Sequence, residues 1–424
     1  MNRIPPSETI RQALQKLLTA GLRTTDTDPL NDLVRLAARL VLQEALEAEQ
    51  ADFLGRDRYE RDATKEFRGY RNGYEPATLK TAEGKLEIAL PQVRAAAHPF
   101  HSSLLGFLGG HTDLLSRLVT EMYARGLSTR DIEDAFTDAS GECLLTRSGV
   151  SEVTDSLFRE YQAFQERDLG KFEIAYLFVD AIYESLRQQA DCKEAVLVCW
   201  AICQDGRKVL LHLGLGNKES YECWRDFFRS RHKRHLSTPI TVTTDGAPGL
   251  LRAVSEAFPN SLRLRCWFHK MANVLAKIPD REHDLIRAHL CAIRDAPTLE
   301  SGQQAAAAFI QAFGPRFPSA IKSFSDDLQA SLAHLRLPEP HRKSCRTTNL
   351  IERSFVEERR RTKIIPRFLS EKSCLKLVFG TLIRAARRWQ RIRITELQQA
   401  QMQPLRKELG QSPPPQTGQA EKVA

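Results

Sequence analysis

Between Phe172 and Trp267 the chain alternates strand and helix in an order that leaves few folds open. Five segments have strand-like patterning: Phe172–Tyr183, Ala195–Cys203, Lys208–Leu215, Ile240–Thr244 and Leu262–Trp267. Short turns separate the first three. An amphipathic helix, Tyr221–Arg234, precedes the fourth, and a second helix, Leu250–Phe258, precedes the fifth. Residues 270–345 then read as wholly helical and interrupt the sheet domain. A last helical segment runs from about Thr347 to Arg393.

Three strands, then helix, strand, helix, strand is the α/β order of a ribonuclease-H-like fold. The expected fold class is an α/β ribonuclease-H-like catalytic core with a mixed five-stranded sheet and an all-α insertion, preceded by mainly α-helical DNA-binding modules. The 424 residues are too many for one compact core. They divide into an N-terminal helical region (1–65), a small β-hairpin and linker region (66–110) and a helix-turn-helix-like module (111–168). The catalytic core (169–270) follows, then the helical insertion (271–345), the basic C-terminal helices of the core (346–395) and a largely disordered tail (396–424).

Within the first regions, Thr78–Thr81 and Lys85–Leu90 flank Ala82-Glu83-Gly84 as a hairpin. Arg68 and Arg71, interleaved with Tyr70 and Tyr74, either contact DNA or cover a turn. Leu114–Arg125 ends at Gly126, and Ser128-Thr129-Arg130-Asp131 is a capping-box start for a helix ending near Gly141. A third helix begins around Thr146–Ser151 and runs to Phe164. Arg130 and Arg147 are the candidate DNA contacts of this module.

Charge narrows the function. The formal net charge is +9, yet sixteen Lys/Arg against four Asp/Glu lie between His341 and Arg393, leaving 46 against 49 elsewhere. Concentrated positive charge is what phosphate neutralisation requires. Arg346, Arg353, Arg359, Arg360, Arg361 and Lys363 are the candidate contacts there; a solvated basic helix face is the alternative. Apolar residues are 42% of the chain, but no apolar run reaches the length of a membrane span. The N-terminus lacks the apolar core of a secretory signal, and nine cysteines in no even framework fit free thiols. A soluble cytoplasmic protein, nucleoid-associated when bound to DNA, is expected.

Three carboxylates are the candidate chemistry. Asp180 follows Ala175-Tyr176-Leu177-Phe178-Val179, and Asp245 follows Ile240-Thr241-Val242-Thr243-Thr244, each at the end of an apolar strand. A carboxylate so close to a buried strand needs a cation or donors. If the strands are neighbours, the two converge on shared hard cations, Mg²⁺ above all, with Mn²⁺ as a substitute. Two such ions would stabilise both the attacking and the leaving oxygen of an in-line displacement. Against this, Asp245-Gly246 is also a routine turn, and Asp180 could cap or pair with an arginine. Glu352, 107 residues beyond Asp245, reads blandly as the capping partner of Asn349. Thr348, Asn349, Glu352 and Arg359 nonetheless fall near one helical face.

The chain resembles the mutator-type transposases of bacterial insertion sequences over roughly residues 30–395. The motifs are Arg68-Gly69-Tyr70-Arg71-Asn72-Gly73-Tyr74, Met122–Asp131, Val179-Asp180-Ala181-Ile182-Tyr183, Thr244–Leu250, Cys266-Trp267-Phe268-His269 with Asn273, and Thr347–Lys363. The resemblance implies an acidic triad at Asp180, Asp245 and Glu352, and N-terminal modules that bind terminal inverted repeats. It also makes Cys266, His269 and Asn349 active-site neighbours. Two ligands cannot close a tetrahedral zinc site, so His269 is expected to orient DNA and Cys266 either to join it or to pack. Pro91-Gln92-Val93-Arg94 and Arg265 depart from the family pattern. No tryptophan lies in the helical insertion, and Phe309, Phe313, Phe317 and Phe324 there are more commonly core.

The expected activity is metal-dependent cleavage and strand transfer on double-stranded DNA, with element ends and target as partners. A homodimer or higher assembly on DNA follows from the need to hold two ends. A nuclease without joining activity and a silent sequence-specific regulator are the alternatives.

Overall fold

The computed structural model describes residues 4–20, 29–58, 60, 68–82, 84–104, 112–137, 143–186, 193–216, 220–363, 365, 367–389 and 391–411. They form two compact units, divided between Ser156 and Leu157. In the first unit, α1 (Pro6–Ala20) and α2 (Pro29–Leu54) precede an antiparallel hairpin of β1 (Tyr70–Thr81) and β2 (Gly84–Arg94). Gln43 of α2 clamps the backbone of β2, donating to the Ala89 carbonyl at 2.8 Å and accepting its N–H at 2.9 Å. The hairpin is longer than the sequence pattern predicts. Residues 70–74 are already strand, with a bulge between Arg71 and Tyr74 where Gly73 adopts φ +82°.

Three helices follow: α3 (Asp113–Ala124), α4 (Thr129–Ala135) and α5 (Arg147–Glu166). The Ser128 capping box is formed, with Asp131 returning the hydrogen bond. Leu115, Val119, Ile132, Leu145 and Val150 bury a small core between these helices. Helix α4 stops at Ala135, short of Gly141, and residues 138–142 are outside those described.

The second unit is built on a mixed sheet of β3 (Ile174–Ser185), β4 (Lys193–Cys203), β5 (Lys208–Gly216), β6 (Thr241–Thr244) and β7 (Leu262–Arg265), in the order β5-β4-β3-β6-β7. The first three are antiparallel; β6 and β7 continue parallel to β3. Helices α6 (Tyr221–Lys233) and α7 (Pro248–Ala257) fill the predicted places. Trp224, Phe227, Phe228, Leu250 and Val254 cover Leu177, Val179 and Val242. Strand β3 is buried on both faces from Ile174 to Asp180, as its unbroken apolar run requires.

The helical interruption holds α8 (Trp267–Leu275), α9 (His283–Arg294), α10 (Leu299–Phe313), α11 (Pro318–Ser325), α12 (Leu328–Leu332) and α13 (Glu339–Cys345). It has its own core, in which Phe309, Phe313 and Phe324 are buried and Phe317 is packed against them. These four phenylalanines are structural.

Helices α14 (Asn349–Thr362) and α15 (Glu371–Arg388) return to the sheet. A last helix, α16 (Glu396–Glu408), corrects the expectation of a disordered tail from residue 396. A Thr395–Gln398 capping box starts it, and Met402 and Leu405 bury one face, with the Tyr176 hydroxyl donating to the Met402 sulfur at 2.9 Å. Two apolar contacts in a glutamine-rich stretch decide this helix, too few to stand out as a periodic pattern. The predicted disorder from Ser412 to Ala424 falls outside the described residues.

Candidate active site

Strand pairing brings the two aspartates together. Phe178 of β3 lies opposite Thr243 of β6 in parallel register. Carried two residues on, that register puts Asp180 beside Asp245 on the same face, with the strand axes about 4.8 Å apart. Asp180 is only 8% exposed and accepts the N–H of Ala181 at 2.9 Å. Asp245 is half-buried and accepts the N–H of Ala247 at 3.0 Å, so it shapes the turn into α7 as well. Gly246 takes φ +93°, and a Cβ there would collide with the Arg265 guanidinium. Arg265 therefore lies flat against the turn. Burial lowers its pKa, while the Asp245 carboxylate opposes that shift.

Glu352 reaches this region because the feet of the helical insertion are tied to the sheet. The Thr243 hydroxyl donates to the Cys345 carbonyl at 2.9 Å, and the Trp267 N–H to the Arg346 carbonyl at 2.9 Å. The Thr348 N–H then approaches the Cys266 sulfur at 3.3 Å. The Thr348 hydroxyl donates to Glu352 Oε1 at 3.1 Å. This overturns the capping pair expected of Asn349. Thr348 is the N-cap and holds the Glu352 carboxylate, whereas Asn349 is exposed at the first helical position.

Cys266 occupies the N-cap of α8 and His269 lies in its first turn. Among the described residues, the one set of three metal-ligating side chains with donor atoms all within 4.8 Å of one another is Cys266, His269 and Glu352. Asp180 and Asp245 fall outside that set but act on it. Interaction with Cys266 raises the His269 pKa; burial opposes this, and Asp180 and Asp245 add to it, carrying the imidazole up to about 9. Burial resists ionisation of Cys266, yet His269 and Thr348 outweigh it and lower the thiol pKa. Even so, His269 Nδ1 is buried without a well-formed hydrogen bond. Phe268, which sequence patterning does not single out, stands 57% exposed next to His269.

The candidate DNA contacts divide by what already holds them. Arg71 donates to the carbonyls of Arg56 and Asp57 at 2.7 and 3.2 Å, closing the turn after α2. Arg147 pairs with Glu133 at 2.6 Å and Arg346 with Asp295. Arg361 is folded back on Glu357 at 2.9 Å. Arg360 also reaches Glu357, at 2.6 Å, yet its side chain stays exposed, as do those of Arg68, Arg130, Arg353, Arg359 and Lys363. Arg353 and Arg360 line a groove of about 370 Å³ with Arg388 and Trp389, an addition that the local sequence does not mark. No helix of the described residues is long and apolar enough to cross a membrane.

The family model described as "Transposase, Mutator family" matches residues 9–392. The transposase for insertion sequence element ISRM5 of Rhizobium meliloti (strain 1021) is 32% identical over 359 residues, covering 84% of this chain and 89% of the relative. That for IS6120 of Mycolicibacterium smegmatis is 34% identical, over 67% of this chain and 88% of the relative. That for IS406 of Burkholderia multivorans is 33% identical, over 83% and 90%. With a match this continuous across both units, the chain belongs to the Mutator family of transposases.

Proposed function

We propose that this transposase binds the terminal inverted repeats of an insertion sequence and cleaves and joins DNA at Asp180, Asp245 and Glu352. The observation that carries the reading is the β3–β6 register, which, continued two residues past Phe178 and Thr243, brings Asp180, inside β3, alongside Asp245, just beyond the end of β6. The strand order and sense support a ribonuclease-H-like core. The site fits a divalent cation such as Mg²⁺. After Cys266, the carboxylates of Asp180 and Asp245 also help to raise the His269 pKa, so their negative charge is felt across the site. The carboxylates also supply the hard oxygen donors that suit such an ion. Asp180, Asp245 and Glu352 are the residues that would hold it. When bound, such ions neutralise phosphate charge and activate the attacking oxygen.

The chain's own residues do the positioning. Thr348 orients Glu352, Ala181 and Ala247 fix one oxygen of each aspartate, and protonated His269 offers a positive charge to a phosphate. Water is the nucleophile at an element end, and the freed 3′-hydroxyl is the nucleophile at the target, so no protein–DNA bond is required. The exposed basic residues and the need to hold two ends support a dimer or larger assembly on DNA. Asp180→Asn, Asp245→Asn and Glu352→Gln are each expected to abolish cleavage of end-containing duplex in Mg²⁺ while mobility-shift binding to the same ends survives. Retained strand transfer in any one of them removes that residue from the triad.

A further inference from the structure

We propose that Cys266, His269 and Glu352 form a second, soft-metal site that takes Zn²⁺ and thereby withdraws Glu352 from the two aspartates. Three ligand types of the zinc class, thiolate, imidazole and carboxylate, present donor atoms within 4.8 Å of one another. Tetrahedral zinc sets such donors at about 2.0–2.3 Å from the metal, so the side chains need close by only about 1 Å to bind it. Magnesium prefers six oxygens in octahedral array and is a poor match for this set.

Two further observations point the same way. His269 Nδ1 is a buried polar atom with no well-formed hydrogen bond, its strongest interaction being with Cys266, and a metal bond would satisfy it as the imidazole gives up its proton. Thr348 holds both flanking ligands, through its N–H to the Cys266 sulfur and its hydroxyl to Glu352 Oε1, so the ligands are oriented in advance. Cys266 is fully buried, but His269 and Glu352 are half-exposed, so an ion enters from their side and keeps its fourth position open. Because Glu352 cannot serve both ligand sets at once, zinc occupancy would inhibit the transposase rather than substitute for magnesium. The binding depends on three side chains and not on the roles given to Asp180 and Asp245.

The test is titration of the full-length protein with Co²⁺, the spectroscopic stand-in for zinc, in magnesium-free buffer. One equivalent is expected to give a thiolate-to-cobalt charge-transfer band and the visible bands of tetrahedral cobalt, both bleached by Zn²⁺. Cys266→Ser should remove the charge-transfer band. His269→Gln, a half-exposed position that leaves the buried sulfur in place, should weaken cobalt binding by about 100-fold. An Asp180→Asn/Asp245→Asn double variant should keep the band, so loss of the proposed catalytic triad and loss of this site are read separately. No band in the wild-type protein overturns the proposal, as does a band that survives in Cys266→Ser. Cobalt affinity unchanged in His269→Gln does the same.

Discussion

At the scale of single residues, the site depends on groups that carry no chemistry of their own. Gly246 is one, because its φ of +93° follows directly on Asp245. A side chain there strains the backbone and displaces Arg265. Gly246→Ala is expected to lower stability by about 1–3 kcal/mol, read from the urea midpoint, and to depress cleavage further than that loss explains. Unchanged stability would mean the turn relaxes freely. Glu358 is another. It is fully buried on α14, and burial followed by the charge of Glu184 on β3 raises its pKa from 4.5 to about 9, with Thr362 and Arg359 opposing. The folded state thus holds this proton more tightly than the unfolded one. The stabilisation is present below the unfolded pKa and is lost as pH rises through the folded value. Glu358→Gln, which mimics the neutral form, should melt higher than the wild type at about pH 9 and show a flatter decline from about pH 5. Parallel melting curves for the two proteins across that range would assign the proton elsewhere.

Elements are legible in the sequence where local pattern and tertiary demand agree. The five strands and the helices between them read correctly because β3 and β4 are buried on both faces and must be apolar throughout. The start of β1 escapes such a reading because Tyr70–Tyr74 has no apolar alternation; partners in Pro91–Arg94 make it a strand. Asp245 is visible as a strand end, whereas Asp180 corrects that reading, since β3 runs on past it to Ser185 once β4 supplies partners. The support of Glu352 is not visible, since Thr348 and Cys266 meet across 82 residues and no local spacing encodes that. Several arginines that charge alone selects, Arg71, Arg147 and Arg346 among them, already have partners that composition cannot reveal. The last helix carries its own prediction. Truncation after Arg393 strips Met402 from Tyr176 and exposes the apolar floor of α16, and should cost about 2–5 kcal/mol of stability. A truncated protein that melts with the full-length chain would show the helix to be dispensable.

For the whole molecule, the useful quantity is how charge is spread. The excess of positive charge lies between His341 and Arg393, and part of it lines the groove of Arg353, Arg360, Arg388 and Trp389. If phosphates run there, replacing the three arginines by alanine should reduce the slope of log affinity against log salt by about 0.9 for each phosphate no longer neutralised. An unchanged slope with weaker binding would place the DNA elsewhere. The tied feet of the helical insertion have a different consequence, one of timing. Synthesis runs from the N-terminus, and the first unit, complete by Ser156, has a core of its own. Asp180 and Asp245 follow, but the Thr243–Cys345 and Trp267–Arg346 ties cannot form until the insertion between them has been made and folded. The ribosome thus delivers a chain whose first unit can fold well before it has all three carboxylates. If that unit binds element ends, as proposed, a message broken between those points would yield a protein able to occupy them but not to cut them.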